Sequence, residues 1–127
     1  MVFFSFKKME SQKVISHIVN WLREYANNAG VKGYIVGISG GIDSALTSTL
    51  CAKTGLKVIC VEMGIHQNPN EVNRGLEHIE WLEKKFPNVS HQRINLTDTF
   101  ETIKKGFSSK TQTHGLSMAN TRARLRM

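Results

Sequence analysis

Proline and cysteine are scarce in this chain of 127 residues, at two each. Two cysteines, Cys51 and Cys60, cannot build the disulfide framework of a small secreted domain. They are expected as buried, reduced thiols on a helix and a strand, which suits a cytoplasmic protein. No apolar run approaches the roughly 20 residues of a membrane span, so no membrane association is expected. The apolar start, Met1 to Lys8, has no basic segment before it and no long apolar region, and makes a poor signal peptide. Repeats and low-complexity tracts are missing as well. Acidic residues are few: 17 Lys and Arg face 10 Asp and Glu, leaving a net charge of +7. Such an excess suits polyanions. It is spread along the chain, with one dense group at Arg122, Arg124 and Arg126, and phosphate-bearing small molecules account for it as well as nucleic acid does. The length allows one domain with a real core, residues 1–127, and not two.

What is present alternates. Residues from about Lys8 to Ala29 read as an amphipathic helix, with Val14, Ile15, Ile18, Val19, Leu22, Tyr25 and Ala26 on its apolar face and Gly30 as its stop. Gly33 to Ile38 is an apolar strand of the kind buried on both faces. A helix from Asp43 to about Thr54 closes at Gly55, and Lys57 to Met63 is a second strand. Asn68 as N-cap, Pro69 as first helical residue and Glu71 near the capping-box position open a third helix that runs to about Lys85. Val72, Leu76, Ile79, Leu82 and Phe86 are its inward residues. Val89 to Asn95 is a third strand, nearer an edge. Asp98 is expected to cap a short helix reaching Phe107, Ser108 to Gly115 reads as a loop, and a last helix runs from about Leu116 to Met127. This order implies an α/β fold, a parallel sheet sandwiched by helices. Three strands are few for such a sheet, and a helix with no cap at its end looks cut off. The chain is therefore expected to be the N-terminal part of a larger domain.

Between the first strand and second helix lies Gly37-Ile38-Ser39-Gly40-Gly41-Ile42-Asp43-Ser44. A strand, a glycine turn and a helix in succession aim backbone N–H groups and a helix N-terminus at one point, a ready phosphate site. Adjacent glycines let the backbone approach an anion, Ser39 and Ser44 add hydroxyls, and Asp43 adds a carboxylate able to hold Mg²⁺. The loop lacks the Lys of a G-x-x-x-x-G-K-S/T sequence, which argues against a P-loop kinase or GTPase. It also lacks the G-x-G-x-x-G spacing of a dinucleotide-binding turn. A plain βα turn with Asp43 as N-cap would need neither the glycine pair nor both serines. The string Ser39 to Ser44 resembles the S-G-G-x-D-S pyrophosphate loop of the N-type ATP pyrophosphatases, of the adenine nucleotide alpha hydrolase-like superfamily with its Rossmann-like sheet. Those enzymes cleave ATP between its α and β phosphates.

The second constellation is Leu116 to Met127. On a helix Asn120 and Arg124 share one face, while Arg122 and Arg126 share another. The segment matches A-N-x-x-A-R-x-R-M at Asn120, Ala123, Arg124, Arg126 and Met127. Together with the loop it resembles ammonia-dependent NAD synthetase, over nearly the whole chain. The resemblance implies a ligase that uses ATP and Mg²⁺ to adenylate the nicotinate carboxylate of deamido-NAD, releasing pyrophosphate. Ammonia then displaces AMP to give NAD. It implies ATP contacts at Gly37, Ile38, Ser39, Gly40, Gly41, Ile42, Asp43, Ser44 and Met63, with Asp43 also the Mg²⁺ ligand. Met63, at the end of the second strand, would meet adenine through backbone groups. Asn120 and Arg124 would contact deamido-NAD, whereas Arg122 and Arg126 read equally well as a solvated basic face. No covalent nucleophile is required.

The family is typically a homodimer with the dinucleotide site at its interface, and Phe3, Phe4 and Phe6 are candidates for that interface or for core. The segment ahead of the first strand is too short for a fused glutamine-hydrolysing domain, so ammonia would arrive free or from a separate glutaminase. One departure stands out. Gly64-Ile65-His66-Gln67-Asn68 replaces a stretch that carries an aromatic or proline in the family, so His66 and Gln67 keep an open role. Further ATP, magnesium and substrate residues of the family lie beyond Met127, and this chain alone is not expected to complete the reaction. The competing readings are another pyrophosphate-loop enzyme, GMP synthetase-like or tRNA-modifying, and a nucleotide-binding module without catalysis.

Overall fold

The structure, a computed structural model, describes residues 8–65, 68–107 and 115–126, apart from the side chains of residues 116 and 117. Phe3, Phe4, Phe6, His66, Gln67, Met127 and most of the expected loop at 108–115 lie outside the described residues. Within them the order is α1 (Ser11–Ala29), β1 (Gly33–Gly37), α2 (Ile42–Lys53), β2 (Lys57–Gly64), α3 (Pro69–Lys85), β3 (Val89–Asn95), α4 (Thr97–Lys105) and α5 (Gly115–Leu125). The strands form one parallel sheet in the order β1-β2-β3. The expected α/β architecture is therefore borne out. No helix among the described residues is long and apolar enough to cross a membrane.

Punctuation residues explain most boundaries. Gly30, in the left-handed region at φ 68°, ends α1, and its N–H with that of Val31 closes on the carbonyls of Ala26 and Asn27. The Asn68 side chain accepts the Asn70 N–H at 2.9 Å to open α3, with Pro69 behind it. Several ends shift by one to three residues from expectation, two of them for a visible reason. Asp98 does not cap α4. The side chain of Asn95 accepts the Thr97 N–H instead, and the helix starts two residues earlier than an Asp98 cap would give, which leaves Asp98 in its first turn. α5 stops at Leu125, where the Arg126 N–H turns to the Ala123 carbonyl at 3.2 Å in a tight closing turn.

One face of the sheet carries the main core. Ile38, Val58, Cys60 and Val89 from the strand side pack on Cys51 and Ala52 of α2 and on Ile79 and Leu82 of α3. Leu22 of α1 and Tyr34 of β1 seal its margin, and the Tyr34 hydroxyl donates to the Leu22 carbonyl at 2.6 Å. A second cluster joins Ile65, Phe100 of α4 and Met118 of α5. Burial pushes the Cys60 thiol up to about 11 and raises that of Cys51, so both stay protonated at neutral pH. They are free, as expected.

Two apolar surfaces were expected to be covered and are not. Ile35 of β1 is 74% exposed, because alternation along the strand turns it away from the helices that cover Tyr34 and Val36. β1 is thus covered on one face, and it is an edge strand like β3. On α1 the buried stripe is narrow, Val19 and Ala26 with Leu22 beside them, while Val14 and Tyr25 are exposed and Tyr25 stacks on Trp21 at 5.2 Å.

Asn88, ahead of β3, binds the end of α2. Its amide donates to the carbonyls of Ala52 at 2.9 Å and Leu56 at 2.7 Å. Leu56 lies beyond α2, while the Ala52 carbonyl, in its last turn, also accepts the Gly55 N–H at 3.2 Å. Asn88→Ala should lower the unfolding free energy by about 2 kcal/mol in urea titrations, since two hydrogen bonds vanish together. An unchanged midpoint would mean that water replaces the amide at no cost.

Candidate functional site

The loop at the carboxyl end of β1 is held at both ends before it turns. Ile38, 6% exposed, extends the β1–β2 ladder by giving its N–H to the Val61 carbonyl at 2.9 Å. Gly40 follows in the left-handed region at φ 85°, and Gly41 takes the N-cap position of α2 in extended conformation. Side chains then close the loop on itself. The Ser44 hydroxyl accepts the Ser39 N–H at 3.1 Å and donates to the Gly41 carbonyl at 3.2 Å. The Ser39 hydroxyl accepts the Gly41 N–H at 3.2 Å and lies 3.1 Å from the Ser44 hydroxyl, to which it gives its one hydrogen because that of Ser44 goes to Gly41. The N–H groups of Ile42, Asp43 and Ser44 open α2 with no intrahelical acceptor, at the positive end of its dipole. That concentrates uncommitted donors at one exposed turn. Asp43 stands in this first turn with an exposed carboxylate. It does not cap the helix: Gly41 holds the cap position, where there is no side-chain cap hydrogen bond.

α3 buttresses the turn from below. A Cβ placed on Gly40 would sit 2.3 Å from the Glu71 carbonyl oxygen. A Cβ on Gly75 would sit 3.4 Å from the Ile38 side chain and 3.5 Å from the Gly40 nitrogen. Gly40 thus answers two demands at once, positive φ and close backbone approach.

Beside the loop a cavity of about 230 Å³ is lined by Gly37, Ile38, Ser39, Met63 and Arg126. The half-buried Met63 reaches over Gly37, whose added Cβ would lie 3.4 Å from the methionine methyl. Arg126 donates its Nε–H to the Met63 carbonyl at 3.1 Å and so ties the end of α5 to the end of β2. Arg122, one turn earlier, lays its guanidinium 5.1 Å from the Phe100 ring centre, and its buried Nε has no hydrogen-bond partner among the described residues. Asn120 and Arg124 are exposed on the other side of the helix. The structure therefore brings Gly37, Ile38 and Ser39 together with Met63 and adds Arg126 to them, while Gly40 to Ser44 form the turn beside that cavity and do not line it. It does not bring Asn120 or Arg124 to that cavity. The sequence did place Arg122 and Arg126 on one helix face. Packing of Met118 and Leu125 against Phe100 and Ile65 decides that this face turns inward.

A second, larger cleft of about 440 Å³ opens between α3 and the ends of β2 and β3, lined by Glu62, Gly64, Val72, Arg93, Ile94, Asn95 and Thr97. Glu62 is 3% exposed, and its carboxylate lies 2.7 Å from the Arg93 Nε. The N–H is not aimed at that oxygen, so the pair is a charge contact. Sequence reading did not single out either residue. A lone acid in an apolar strand was the available signal.

The NAD synthase family profile matches residues 14–127. The chain belongs to the NAD synthase family. An NH(3)-dependent NAD(+) synthetase from Mesoplasma florum is 34% identical over 121 residues, 94% of this chain and 48% of that protein. One from Saccharolobus solfataricus is 31% identical, over 94% of this chain and 41% of that protein. Among solved structures, the NH3-dependent NAD synthetase from Campylobacter jejuni superposes with TM-score 0.80 at 29% identity, covering 94% of this chain and 49% of that one. The NMN synthetase from Francisella tularensis gives 0.81 at 28%, covering 94% and 48%. The chain thus spans about half the length, or less, of these relatives.

Among the described residues no three His, Cys, Asp or Glu side chains gather as a metal site. A magnesium ion needs no such cluster, because it is commonly held by one or two carboxylates, waters and substrate phosphates. Asp43, exposed at the N-terminus of α2, fits that pattern.

Gly40→Ala should lower the unfolding free energy by about 2 kcal/mol from backbone strain, with the Glu71 contact adding to it. Gly41→Ala should stay within about 1 kcal/mol, since an extended cap position suits any residue. Urea denaturation of both variants checks this. Equal losses would show that the loop is not held in the described geometry.

Proposed function

We propose that this chain carries the ATP-handling half of an ammonia-dependent ligase that converts deamido-NAD to NAD. The observation that supports this most is the self-closed Ser39–Ser44 turn with its uncommitted helix N–H groups, in a chain of the NAD synthase family. Residues 1–127 act here as part of one ATP-pyrophosphatase domain. Gly37, Ile38, Ser39, Gly40, Gly41, Ile42 and Ser44 hold the ATP phosphates. Met63 and the adjoining cavity take the adenine side, where the Met63 N–H and carbonyl lie at the end of β2.

The chemistry asks chiefly for charge control. An oxygen of the nicotinate carboxylate attacks the α-phosphorus, the α–β bridging bond breaks, and pyrophosphate leaves. Donors fixed in advance stabilise the charge that builds on the leaving group and need no rearrangement. The N–H groups at the start of α2 are of that kind. Ammonia then attacks the adenylated carboxyl carbon and AMP departs. Mg²⁺ held by Asp43 supplies neutralising charge on the phosphates when bound. Asn120 and Arg124 contact deamido-NAD on the outer face of α5, where two-pronged arginine donors suit carboxylate or phosphate. Their exposure suits a dinucleotide site shared between two copies of a homodimer. Arg126 joins the loop side of the site. The reaction takes place in the cytoplasm. Family membership favours this reading over a GMP synthetase-like or tRNA-modifying enzyme and over a binding module without catalysis.

A second reading comes from the Francisella tularensis neighbour, named an NMN synthetase. On that reading the amidated substrate is the carboxylate form of the mononucleotide. The protein carrying this chain, given ATP, Mg²⁺, ammonia and deamido-NAD, should yield NAD and AMP in equal amounts. Product from the mononucleotide alone would establish the second reading, and product from neither would overturn both. Asp43→Asn should weaken Mg²⁺-dependent ATP binding about tenfold or more by isothermal titration, with little effect in EDTA. Unchanged binding would remove Asp43 from the metal site.

A further inference from the structure

We propose that His78 is a positioning residue of the phosphate loop, acting through Ser48. Ser48 lies on α2 one turn beyond Ser44 and is completely buried. Its hydroxyl has three neighbours: the Ser44 carbonyl at 2.7 Å, the Ala45 carbonyl at 3.1 Å and the His78 Nε2 at 2.8 Å. A hydroxyl has one hydrogen to give. Both carbonyls only accept, and oxygens 2.7 Å apart repel unless a hydrogen lies between them, so the hydroxyl hydrogen goes to the Ser44 carbonyl and His78 supplies the hydrogen of the remaining bond. The network therefore assigns the ring hydrogen to Nε2. The result is a directed chain, His78 Nε2–H to Ser48 Oγ, then Ser48 O–H to the Ser44 carbonyl.

Ser44 is the residue whose side chain closes the loop onto Ser39 and Gly41. The carbonyl end of that residue is thus anchored from α3, while its hydroxyl end organises the turn. The histidine ring is itself fixed by stacking on Trp81, with ring centres 5.8 Å apart and planes 27° from parallel. α3 reaches the loop at two levels: the backbone of Glu71 and Gly75 against Ile38 and Gly40, and the side chain of His78 through Ser48. The first sets where the loop sits. The second sets the rotation of the first turn of α2, and with it the aim of the Ile42, Asp43 and Ser44 N–H groups. The Ser48 back-bond on its own helix carbonyl is a local device that bends helices, and His78 selects one of its available orientations.

This inference rests on the loop being the phosphate site, and two readouts separate the two ideas. The first needs no ligand: amide ¹H–¹⁵N shifts of Ser39, Gly41 and Ser44 in the wild type, His78→Leu, His78→Gln and Ser48→Ala. A glutamine amide nitrogen can take the place of the ring Nε2–H. His78→Leu and Ser48→Ala should move the same loop amides, His78→Gln should leave them near wild type, and the double variant should add nothing beyond either single one. The second readout is binding of inorganic pyrophosphate with Mg²⁺, which should weaken roughly three- to tenfold in His78→Leu and recover in His78→Gln. Loop amides unmoved by His78→Leu, or moved as much by His78→Gln, would overturn the positioning role. Additive effects of the two single variants would do the same. A wild type that shows no pyrophosphate binding would overturn the phosphate-site reading, while the amide shifts would still decide the role of His78.

Discussion

The Glu71 carbonyl presses against the backbone of Gly40 so closely that no side chain fits between them. That contact joins three elements. β1 delivers the chain through buried Ile38, α2 leaves from Gly41, and the start of α3 closes underneath. A positive φ at Gly40 lets the chain reverse there, and the reversal lets the Ser39 and Ser44 side chains meet. Without it the first N–H groups of α2 would not face the same space as the loop hydroxyls. An anion site made of backbone dipoles depends on aim more than on any one side chain.

The rest of the described structure keeps this junction in place from a distance. The core between sheet and α2/α3 sets the height of α2 over β1, and Asn88 ties the far end of α2 to the turn before β3. On the carboxyl side, Arg126 on the Met63 carbonyl and Arg122 on the Phe100 ring pin α5 beside the cavity. The two arginines differ in chemistry here. Arg126 satisfies an acceptor at a strand end, while Arg122 covers an aromatic face and keeps a buried Nε unused.

Much of this was legible in the sequence, for local reasons. Gly30, Asn68, Pro69 and Gly55 mark element ends by backbone geometry, which a short window carries. The Ser39–Ser44 string carries its own closure, since the four side-chain bonds that fold it onto itself each span five residues or fewer. What was not legible depends on partners far along the chain. Whether the Asn120/Arg124 face or the Arg122/Arg126 face of α5 turns inward is decided by the packing of Met118 and Leu125, and both faces are polar in sequence. The exposure of Ile35 follows from which sheet face the described helices cover, and an apolar strand reads the same with one face buried or two. The Asp98 cap failed because Asn95, three residues upstream, holds the Thr97 N–H first. The Ser48–His78 bond joins residues 30 apart, and neither residue type announces it.

Phosphate is proposed to bind at the start of α2 and the Ser39–Gly41 turn. Titration of the ¹⁵N-labelled protein with pyrophosphate and Mg²⁺, read residue by residue from backbone amide shifts, tests it most directly. The largest saturable shifts should fall on Gly40, Gly41, Ile42, Asp43 and Ser44. Shifts centred instead on the Glu62–Arg93 cleft, or none in the loop at saturating ligand, would contradict it.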